Sequence, residues 1–179
     1  MTMKRLAGHG EECVRYAVAT CSLGAVIAAS AGGRLCALWF GDSPAALIAS
    51  LRERFPQAQA ANDAEMTRLM ARAVDLVERP HLEWREPLAL AGTPFQLEVW
   101  AALREIPAGE TASYSEIARR IGRPRALRAV ASAIAANPIA IVVPCHRVIH
   151  SDGSISGYAA GVERKRVLLR REAAFRAAA

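Results

Sequence analysis

The sequence has no apolar run long enough to cross a membrane. Of its 179 residues 53% are hydrophobic, but the apolar stretches are short pieces such as residues 25–30 and 139–143, whereas a membrane-spanning helix needs about 20 residues. Residues 1–13 have a basic patch with no long apolar segment behind it, so no secretory signal is expected. These absences predict a soluble, cytoplasmic protein that does not act at a membrane.

Cysteine is scarce, and the sequence has no C-x-x-C pair. The four cysteines are Cys13, Cys21, Cys36 and Cys145. Disulfides are not expected without export, and the spacing offers no local start for a zinc site, so no metal is predicted. The first three cysteines lie in or beside strand-like segments, where a buried, inert thiol is the expected state. Cys145 differs, because it stands between Pro144 and His146 after an apolar run.

Acidic residues are missing from one strongly basic segment. Residues 119–128, "RRIGRPRALR", contain five arginines and no Asp or Glu. The whole chain has a formal net charge of +6, which alone says little about a partner. A solvated surface segment is the alternative interpretation, but clustering this dense favours a nucleic-acid contact.

The pattern along the chain predicts an α+β fold in two parts. Residues 14 to about 40 consist of three β-rich segments separated by turn signals, which predicts an antiparallel sheet. Two helices are expected next, over residues 42–55 and 62–79. A segment with three prolines follows, and we place a boundary near residues 86–93. The predicted domains are residues 1–90, an α/β scaffold, and residues 91–179, a mostly helical domain.

The second part contains the pattern of a helix-turn-helix. Ser113 and Glu116 form a predicted capping box that opens a helix, which ends at Gly122, and a second helix is expected over residues 124–137. In this second helix the apolar residues expected to face inward are Leu127, Val130 and Ile134. The spacing places Arg125, Arg128 and Ser132 together on another face. The alternative, an alanine-rich core helix, does not account for the arginines.

The segment "IVVPCHRVIHSDGSISGY", residues 141–158, is the most unusual part of the sequence. We expect residues 139–144 to be extended and buried, and to carry Cys145 to their end. Neighbouring side chains of an extended segment point to opposite sides, so a contact between Cys145 and His146 needs a turn or a bridging water. Cys145 is therefore either a core thiol or a nucleophile.

The last helix supplies a carboxylate that could decide between these roles. Leu168, Leu169 and Phe175 mark its expected inward sector, and Glu172 lies within that sector. A buried carboxylate needs a partner. Glu172 either pairs with an arginine or orients His146, and an oriented imidazole can take a thiol proton and lower the thiol pKa.

The motifs "TPFQLEVWAALREIPAGETASYSEIARRIG", "RAVASAIAANP", "PCHRVI" and "SGYAAGVERKRVLLRRE" resemble those of the O6-alkylguanine-DNA alkyltransferase (methylated-DNA–protein-cysteine methyltransferase) family. Within it the likeness is greatest to the alkyltransferase half of bacterial adaptive-response proteins. The resemblance extends over the whole chain and is looser in the first part. It implies an RNase H-like scaffold, followed by a domain that docks its recognition helix in the DNA minor groove. Such a protein flips the damaged guanine out and transfers the alkyl group to a cysteine.

The resemblance also implies a role for individual residues. Cys145 would be the acceptor, with His146 as its base through water and Glu172 orienting His146. Tyr114 would assist protonation of the leaving guanine, and Asn137 would tie the end of the recognition helix to the Cys145 segment. The residues implied to contact DNA are Arg123, Arg125, Arg128, Ala129 and Ser132, with Arg128 filling the hole left by the base. The implied lesion pocket consists of Val148, whose backbone would accept from the guanine amino group, with Tyr158 and Ala159.

The expected activity is a single, irreversible transfer from O6-alkylguanine in double-stranded DNA, with O4-alkylthymine as a second candidate lesion. The product is a thioether without a good leaving group, so each molecule should act once. No cofactor is expected, and the protein is expected to be a monomer. Ala160 stands where relatives can carry a bulky residue, so a more open pocket is expected. The alternatives are a lesion-binding helix-turn-helix protein or regulator without transfer, and a cysteine hydrolase.

Overall fold

The computed structural model describes residues 13–178, and the chain divides into two compact units. The described part of the first unit is residues 13–78 together with Trp84–Gly92. The second consists of Arg79–Glu83 and residues 93–178. Both helices and strands are present, and the predicted α+β class is confirmed. The expectation of no secretory signal concerns residues 1–13, almost all of which lie outside the described residues.

The first unit is built on a four-stranded sheet. Its strands are β1 (Val14–Cys21), β2 (Gly24–Ala31), β3 (Arg34–Gly41) and the two-residue β4 (Gln59–Ala60). The order is β3-β2-β1-β4, with antiparallel pairing from β1 to β3 and β4 parallel to β1. The three long strands lie where the alternation of β-rich segments and turn signals predicts them.

Two helices cover this sheet. Helix α1 (Pro44–Arg54) is capped by Ser43, whose side chain accepts from the Ala46 backbone, and helix α2 is Ala64–Glu78. Alternate positions of β2, residues 25, 27, 29 and 31, share a core with residues of α1. Ser30, which points to the opposite face, contacts Met66 of α2. Because both faces are covered, β2 is buried almost throughout.

The predicted state of the three remaining cysteines is correct for one of them. Cys36 on β3 is buried, but Cys21 is half-buried and Cys13 is exposed. Cys13 precedes β1 and Cys21 ends it, where side chains are no longer enclosed between the sheet and its helices. The expectation of a buried thiol is therefore wrong for Cys13 and met only in part for Cys21.

The second unit is mostly helical. Its helices are α3 (Pro94–Arg104), α4 (Tyr114–Arg120), α5 (Leu127–Ala135) and α6 (Val162–Ala178). The short strands β5 (Ala112–Ser113) and β6 (Val148–Ile149) pair in parallel, and a 3-10 turn, Cys145–Arg147, precedes β6. In the helices of residues 13–178 no segment is long and apolar enough to span a membrane.

Helices α4 and α5 form the predicted helix-turn-helix. The capping box is present, since the Ser113 side chain accepts from the Glu116 backbone and the Glu116 side chain accepts from the Ser113 backbone. Helix α5 packs on α3, where Trp100 Nε1 donates to Ala133 O at 2.8 Å. The predicted start of the second helix is three residues too early, because residues 121–126 form the turn. Arg125 therefore lies in the turn rather than on the helix.

Three other expectations for the second unit are wrong. Leu127 is 44% exposed at the first turn of α5, and Phe175 is 44% exposed, with its ring stacked on His81. Neither is an inward-facing core residue, because each lies near the end of its helix, beyond the enclosed part. Residues 139–144 are buried but not extended. They turn back on themselves, with Ala140 bridged to Val143 and Ile141 at a φ of 68°.

Candidate functional site

The Cys145 side chain is held by Asn137, a residue just beyond the end of helix α5. Asn137 Nδ2 donates to Cys145 Sγ at 3.1 Å and to Val143 O at 2.7 Å, while its Oδ1 accepts from the Ile139 backbone at 3.0 Å. One amide therefore fixes both the turn over residues 139–143 and the sulfur that follows it. The expected tie between the end of the recognition helix and the Cys145 segment is present as a direct contact.

The 3-10 turn changes how Cys145 and His146 are arranged. A 3-10 helix rotates successive side chains by about 120°, whereas a strand alternates them by 180°. The Arg147 backbone donates to Pro144 O at 3.0 Å, which closes this turn. The half-buried Cys145 and the fully buried His146 are thus consecutive residues of one tight turn, not of an extended segment.

Glu172 on α6 is the partner of His146. His146 Nε2 lies 2.9 Å from Glu172 Oε1, and both side chains are fully buried. Burial alone raises the pKa of Glu172, but hydrogen bonds from His146 and Arg147 and the positive charge of Arg147 lower it to about 2. Glu172 is therefore a carboxylate at neutral pH and can only accept. It follows that Nε2 of His146 carries the hydrogen.

The other nitrogen of His146 is left as an acceptor. Burial lowers the pKa of His146, and this effect outweighs the opposing influence of Glu172, so the imidazole is neutral at pH 7. With the hydrogen on Nε2, Nδ1 has a free lone pair. Nδ1 is buried and has no hydrogen-bond partner among residues 13–178. A neutral, oriented imidazole with an unoccupied acceptor is the form that a general base requires.

Arg147 is a functional residue that sequence reasoning missed. Its Nε donates to both Glu172 oxygens at 3.1 Å, and its Nη2 donates to Glu172 Oε1 at 2.7 Å. Its Nη1 donates to Ile106 O at 2.5 Å and its Nη2 to Pro80 O at 3.3 Å. Glu172 thus contacts both His146 and an arginine. The arginine is Arg147, which belongs to the motif itself, and the orienting role of Glu172 stays a prediction.

Lys165 is the second residue that was missed. It is 1% exposed, and its Nζ donates to Val148 O at 2.5 Å and to Ser156 Oγ at 2.6 Å. The buried residues of α6 are Lys165, Leu168 and Glu172. Their spacing of three and four is that of a single helix face, so extending the stripe backwards from Leu168 would have found Lys165.

The surroundings of the Cys145 thiol have opposing effects on its pKa. Burial raises the pKa of Cys145 above its ordinary value, and the effect is opposed by the Asn137 amide, the Lys165 charge and the Tyr158 hydroxyl. The resting group is therefore a thiol, and a base is needed to ionise it. Burial and the neighbouring Cys145 raise the pKa of Tyr158 well above its ordinary value, so Tyr158 stays protonated and can only donate to a sulfur anion.

The predicted pocket residues lie on both sides of the loop that leads into α6. Val148 is buried, Tyr158 is half-buried and Ala159 is exposed. The Val148 carbonyl accepts from both Lys165 and Ser156, whose Oγ lies at 3.0 Å, so both of its lone pairs are used. The role expected for this carbonyl, accepting from a guanine amino group, requires one of these bonds to be released.

Tyr114 is the first residue of α4 and is half-buried. Its ring centroid lies 5.9 Å from that of His150, at an interplanar angle of 43°. No hydrogen bond joins Tyr114 to Cys145 in the described part of the chain. A role for Tyr114 would therefore depend on a bound base placed between them.

The residues expected to contact DNA differ in whether their side chains are already paired within the protein. Arg125, Arg128, Ala129 and Ser132 are exposed. Arg123 is exposed but occupied, because it pairs with Glu98 at 3.1 Å and lies over the Phe95 ring at 5.5 Å. An open cavity of about 410 Å³ is lined by residues 123–126 of the turn. Arg123 is thus tied to α3, whereas Arg128 projects from α5 without a partner in the described residues.

No cluster of three His, Cys, Asp or Glu side chains that could bind a metal ion is present within residues 13–178. The expectation that the protein uses no metal or cofactor stays a prediction.

Comparison with known proteins gives consistent matches. Residues 94–174 match the family described as 6-O-methylguanine DNA methyltransferase, DNA binding domain. The chain is 46% identical over 175 residues to the bifunctional transcriptional activator/DNA repair enzyme Ada of Escherichia coli, covering 97% of this chain and 49% of Ada. It is 60% identical over 84 residues to a methylated-DNA–protein-cysteine methyltransferase of Salmonella typhimurium, covering 47% of this chain and 49% of that protein. The chain thus spans about half the length of these curated relatives.

A solved structure matches over nearly its whole length. The crystal structure of Mycobacterium tuberculosis OGT in complex with DNA is 37% identical in sequence, with a TM-score of 0.77. The match covers 89% of this chain and 93% of that one.

Proposed function

Because this chain belongs to the 6-O-methylguanine DNA methyltransferase family, we propose that it repairs DNA by transferring the alkyl group of O6-alkylguanine to Cys145. The observation that carries the proposal is the contact of Cys145 Sγ with the Asn137 amide. Cys145 directly precedes His146, which forms a buried pair with Glu172. A soft sulfur nucleophile beside a neutral, oriented imidazole suits attack on an alkyl carbon. The relatives' names support the same reaction.

In the proposed reaction, His146 takes the thiol proton through a bridging water while Glu172 holds the imidazole. The Cys145 sulfur then attacks the alkyl carbon, the S–C bond forms, and the C–O bond breaks with its electron pair going to the guanine oxygen. Tyr114 assists protonation of the departing base, which relieves its developing charge. The thioether product has no good leaving group, so the protein acts once and is not regenerated.

The proposed partner is double-stranded DNA. The target carbon cannot be reached inside the base stack, so the nucleotide must be extruded at a cost of a few kcal/mol. Arg128, with Ala129 and Ser132 on the exposed side of α5, is proposed to enter the minor groove, and Arg128 to fill the gap in the stack. Arg125 adds a phosphate contact. Tyr158, Ala159 and the Val148 backbone are proposed to enclose the extruded base.

The decisive test is the intact mass after incubation with duplex DNA containing O6-methylguanine. The mass is expected to rise by one methylene unit, with one transfer per molecule, and peptide mapping is expected to place the adduct on Cys145. Binding of the lesion without any mass change would indicate a recognition protein or regulator instead. Turnover of ester or peptide substrates would indicate a hydrolase. O4-methylthymine DNA in the same assay tests the second lesion.

A second test separates base extrusion from chemistry. Arg128→Ala is expected to slow transfer from duplex DNA by about tenfold or more, since extrusion costs a few kcal/mol, and to leave transfer from the free modified base nearly unchanged. Arg119→Ala, which removes an exposed arginine from α4, serves as the charge-matched control. Equal losses on both substrates would show that Arg128 supports the fold or the pocket.

The domain division, the oligomeric state and the location in the cell are also proposals. We propose that residues 1–90 and 91–179 are separate domains, which expression of each segment and circular dichroism would test. A monomer is proposed, with sedimentation as its test. The cytoplasmic location stays a prediction that cell fractionation can check.

A further inference from the structure

The ring of His150 is the aromatic neighbour of Tyr114, and the proposed reaction gives it no role. The two ring centroids lie 5.9 Å apart at an interplanar angle of 43°, within the range of about 4.5–7 Å at which tilted rings attract each other. The pairing of β5 with β6 explains the contact. Ser113 lies opposite Ile149 in this parallel pair, so the residues that follow them, Tyr114 and His150, leave the same end of the pair side by side.

The backbone that carries His150 is fixed by a closed turn. Its N–H donates to Ser154 O at 3.0 Å, and its carbonyl accepts from the Gly153 backbone at 3.0 Å. Asp152 strengthens the turn, because its Oδ1 accepts from the backbone and from the hydroxyl of Ser154 at 2.9 and 2.6 Å. The His150 ring is exposed, but it projects from a turn whose backbone groups are hydrogen-bonded.

The Tyr114 ring has few other contacts that could fix its orientation. Tyr114 is the first residue of α4 and is half-buried. Within residues 13–178 its hydroxyl takes part in no hydrogen bond. A tyrosine side chain can adopt several staggered rotamers, so packing has to select one of them. The ring of His150 supplies such packing on one side of Tyr114.

We propose that His150 is a positioning residue that holds the Tyr114 ring in the orientation from which its hydroxyl reaches the extruded guanine. The proposal deepens the function proposed above and rests on it. His150 forms no bond with the base and transfers no proton. It raises the fraction of molecules in which Tyr114 is already oriented when the C–O bond breaks. A histidine that contacts the DNA backbone instead would contribute to affinity and not to the rate of transfer.

The test separates the rate of transfer from the affinity for DNA. Single-turnover transfer from duplex DNA containing O6-methylguanine is measured over a range of concentrations of the full chain, which gives a maximal rate and a half-saturating concentration. His150→Ala removes the ring, whereas His150→Phe keeps an aromatic ring. His81→Ala is the matched control, because it removes another histidine ring of the second unit, one stacked on Phe175 at a centroid distance of 3.8 Å.

His150→Ala is expected to lower the maximal rate by about threefold to tenfold, the worth of one aromatic pair, at a nearly unchanged half-saturating concentration. His150→Phe and His81→Ala should stay near wild type. Tyr114→Phe should be slow by itself, and adding His150→Ala to it should cost nothing further, because the orientation of a ring without its hydroxyl does not matter. Additive losses, or weaker binding at an unchanged maximal rate, would overturn the proposal.

A measurement without DNA keeps this test apart from that of the proposed function. In NMR of the unbound protein, the Tyr114 ring protons are expected to show a nuclear Overhauser effect to His150, and the side-chain couplings of Tyr114 to indicate a single rotamer. His150→Ala should average these couplings, and His150→Phe should restore them. A Tyr114 rotamer that is the same in wild type and His150→Ala would overturn the proposal. A wild-type chain that shows the NMR result but transfers no alkyl group would refute the proposed function and not the hold of His150 on Tyr114.

Discussion

Cys36 in the first unit and Cys145 in the second are two thiols whose pKa is raised by burial, to about 12 for Cys36. Their hydrogen bonds run in opposite directions. The Cys36 thiol donates to Ala29 O at 3.3 Å, whereas the Cys145 sulfur accepts from Asn137 Nδ2 at 3.1 Å. A carbonyl partner favours the protonated thiol, and an amide donor favours the thiolate. Burial is therefore common to both thiols, and they differ in whether the hydrogen-bond partner is an acceptor, as for Cys36, or a donor, as for Cys145.

Each thiol also has a cation nearby, and the two cations differ. Arg54 lowers the pKa of Cys36 without overcoming burial, and within the described part of the chain its buried Nε has no hydrogen-bond partner. Lys165 is held by the Val148 carbonyl and the Ser156 hydroxyl, and its charge lowers the pKa of Cys145 without overcoming burial. Of the two thiols, only Cys145 has a candidate base beside it in sequence, since His146 follows it in the same turn. A thiol thus becomes a candidate nucleophile through a donor, a fixed cation and a base together. The predictions below change the two thiols, the carboxylate partner of the base, the amide donor of Cys145 and the arginine near Cys36.

The largest effect is expected from removing each thiol in turn. Cys145→Ala should abolish transfer and still bind DNA, because the sulfur is the acceptor. Cys36→Ala should keep full transfer and lose about 1 kcal/mol of unfolding free energy through the small cavity it leaves in the core. Intact mass and denaturant unfolding of both variants check this. Loss of transfer in Cys36→Ala at unchanged stability would contradict the assignment of transfer to Cys145 alone.

Removing the base's partner should have the next largest effect. Glu172→Gln weakens the hold on His146 and lowers its basicity, so single-turnover transfer at pH 7 should slow by about a hundredfold. The rate should recover in part as the pH rises and the thiolate forms unaided. Glu163→Gln, an exposed position on the same helix, is the control. A pH–rate profile identical to wild type would rule out the orienting role of Glu172.

The same variant makes a separate prediction for stability. Arg147 loses its carboxylate, and breaking a buried ion pair costs about 3 kcal/mol or more. The pKa of Glu172 is lowered from 4.5 to about 2, so its contribution is fully present above about pH 4.5 and is lost as the pH falls towards 2. Denaturant unfolding should therefore show the largest deficit of Glu172→Gln at neutral pH, and a smaller one near pH 2.

Asn137→Ala should make Cys145 more like Cys36. Without the amide donor the thiolate is less stable, so iodoacetamide alkylation of Cys145 at pH 7 should slow by about tenfold, the cost of losing one hydrogen bond to a charged group. The midpoint of the pH profile should rise. Asn62→Ala, an exposed position in the first unit, is the control, and an unchanged midpoint would show that Asn137 serves only the turn over residues 139–143.

The smallest effect is expected at Arg54. Arg54→Met removes a poorly satisfied buried donor and keeps apolar volume, so the unfolding free energy should stay the same or rise by up to about 1 kcal/mol. Cys36 should remain unlabelled by iodoacetamide. Arg52→Met, which loses a bond to the Tyr16 hydroxyl at 3.3 Å, is the matched comparison and should be slightly destabilised. A clear loss of stability in Arg54→Met would mean that the arginine supports the core around Cys36.

Local sequence determined most of the secondary structure. The three long strands, the Ser113–Glu116 capping box and the turn at Gly122 follow from residue alternation, capping chemistry and the backbone freedom of glycine, all of which act within a few residues. The same local reasoning gave His146 as one of two possible partners of Glu172, the other being an arginine, because a carboxylate in the buried sector of a helix needs a partner.

Only the tertiary structure decided which groups surround these residues. The turn over residues 139–143 replaces the expected extended segment because Asn137 satisfies its backbone. Arg147 and Lys165 are buried because Glu172 and the Val148 carbonyl reach them from positions 25 and 17 residues away along the chain. Periodicity assigns a charged side chain to solvent by default, and only a partner from a distant element makes its burial favourable. The protonation state of Cys145 depends on such partners, which its neighbours in sequence do not specify.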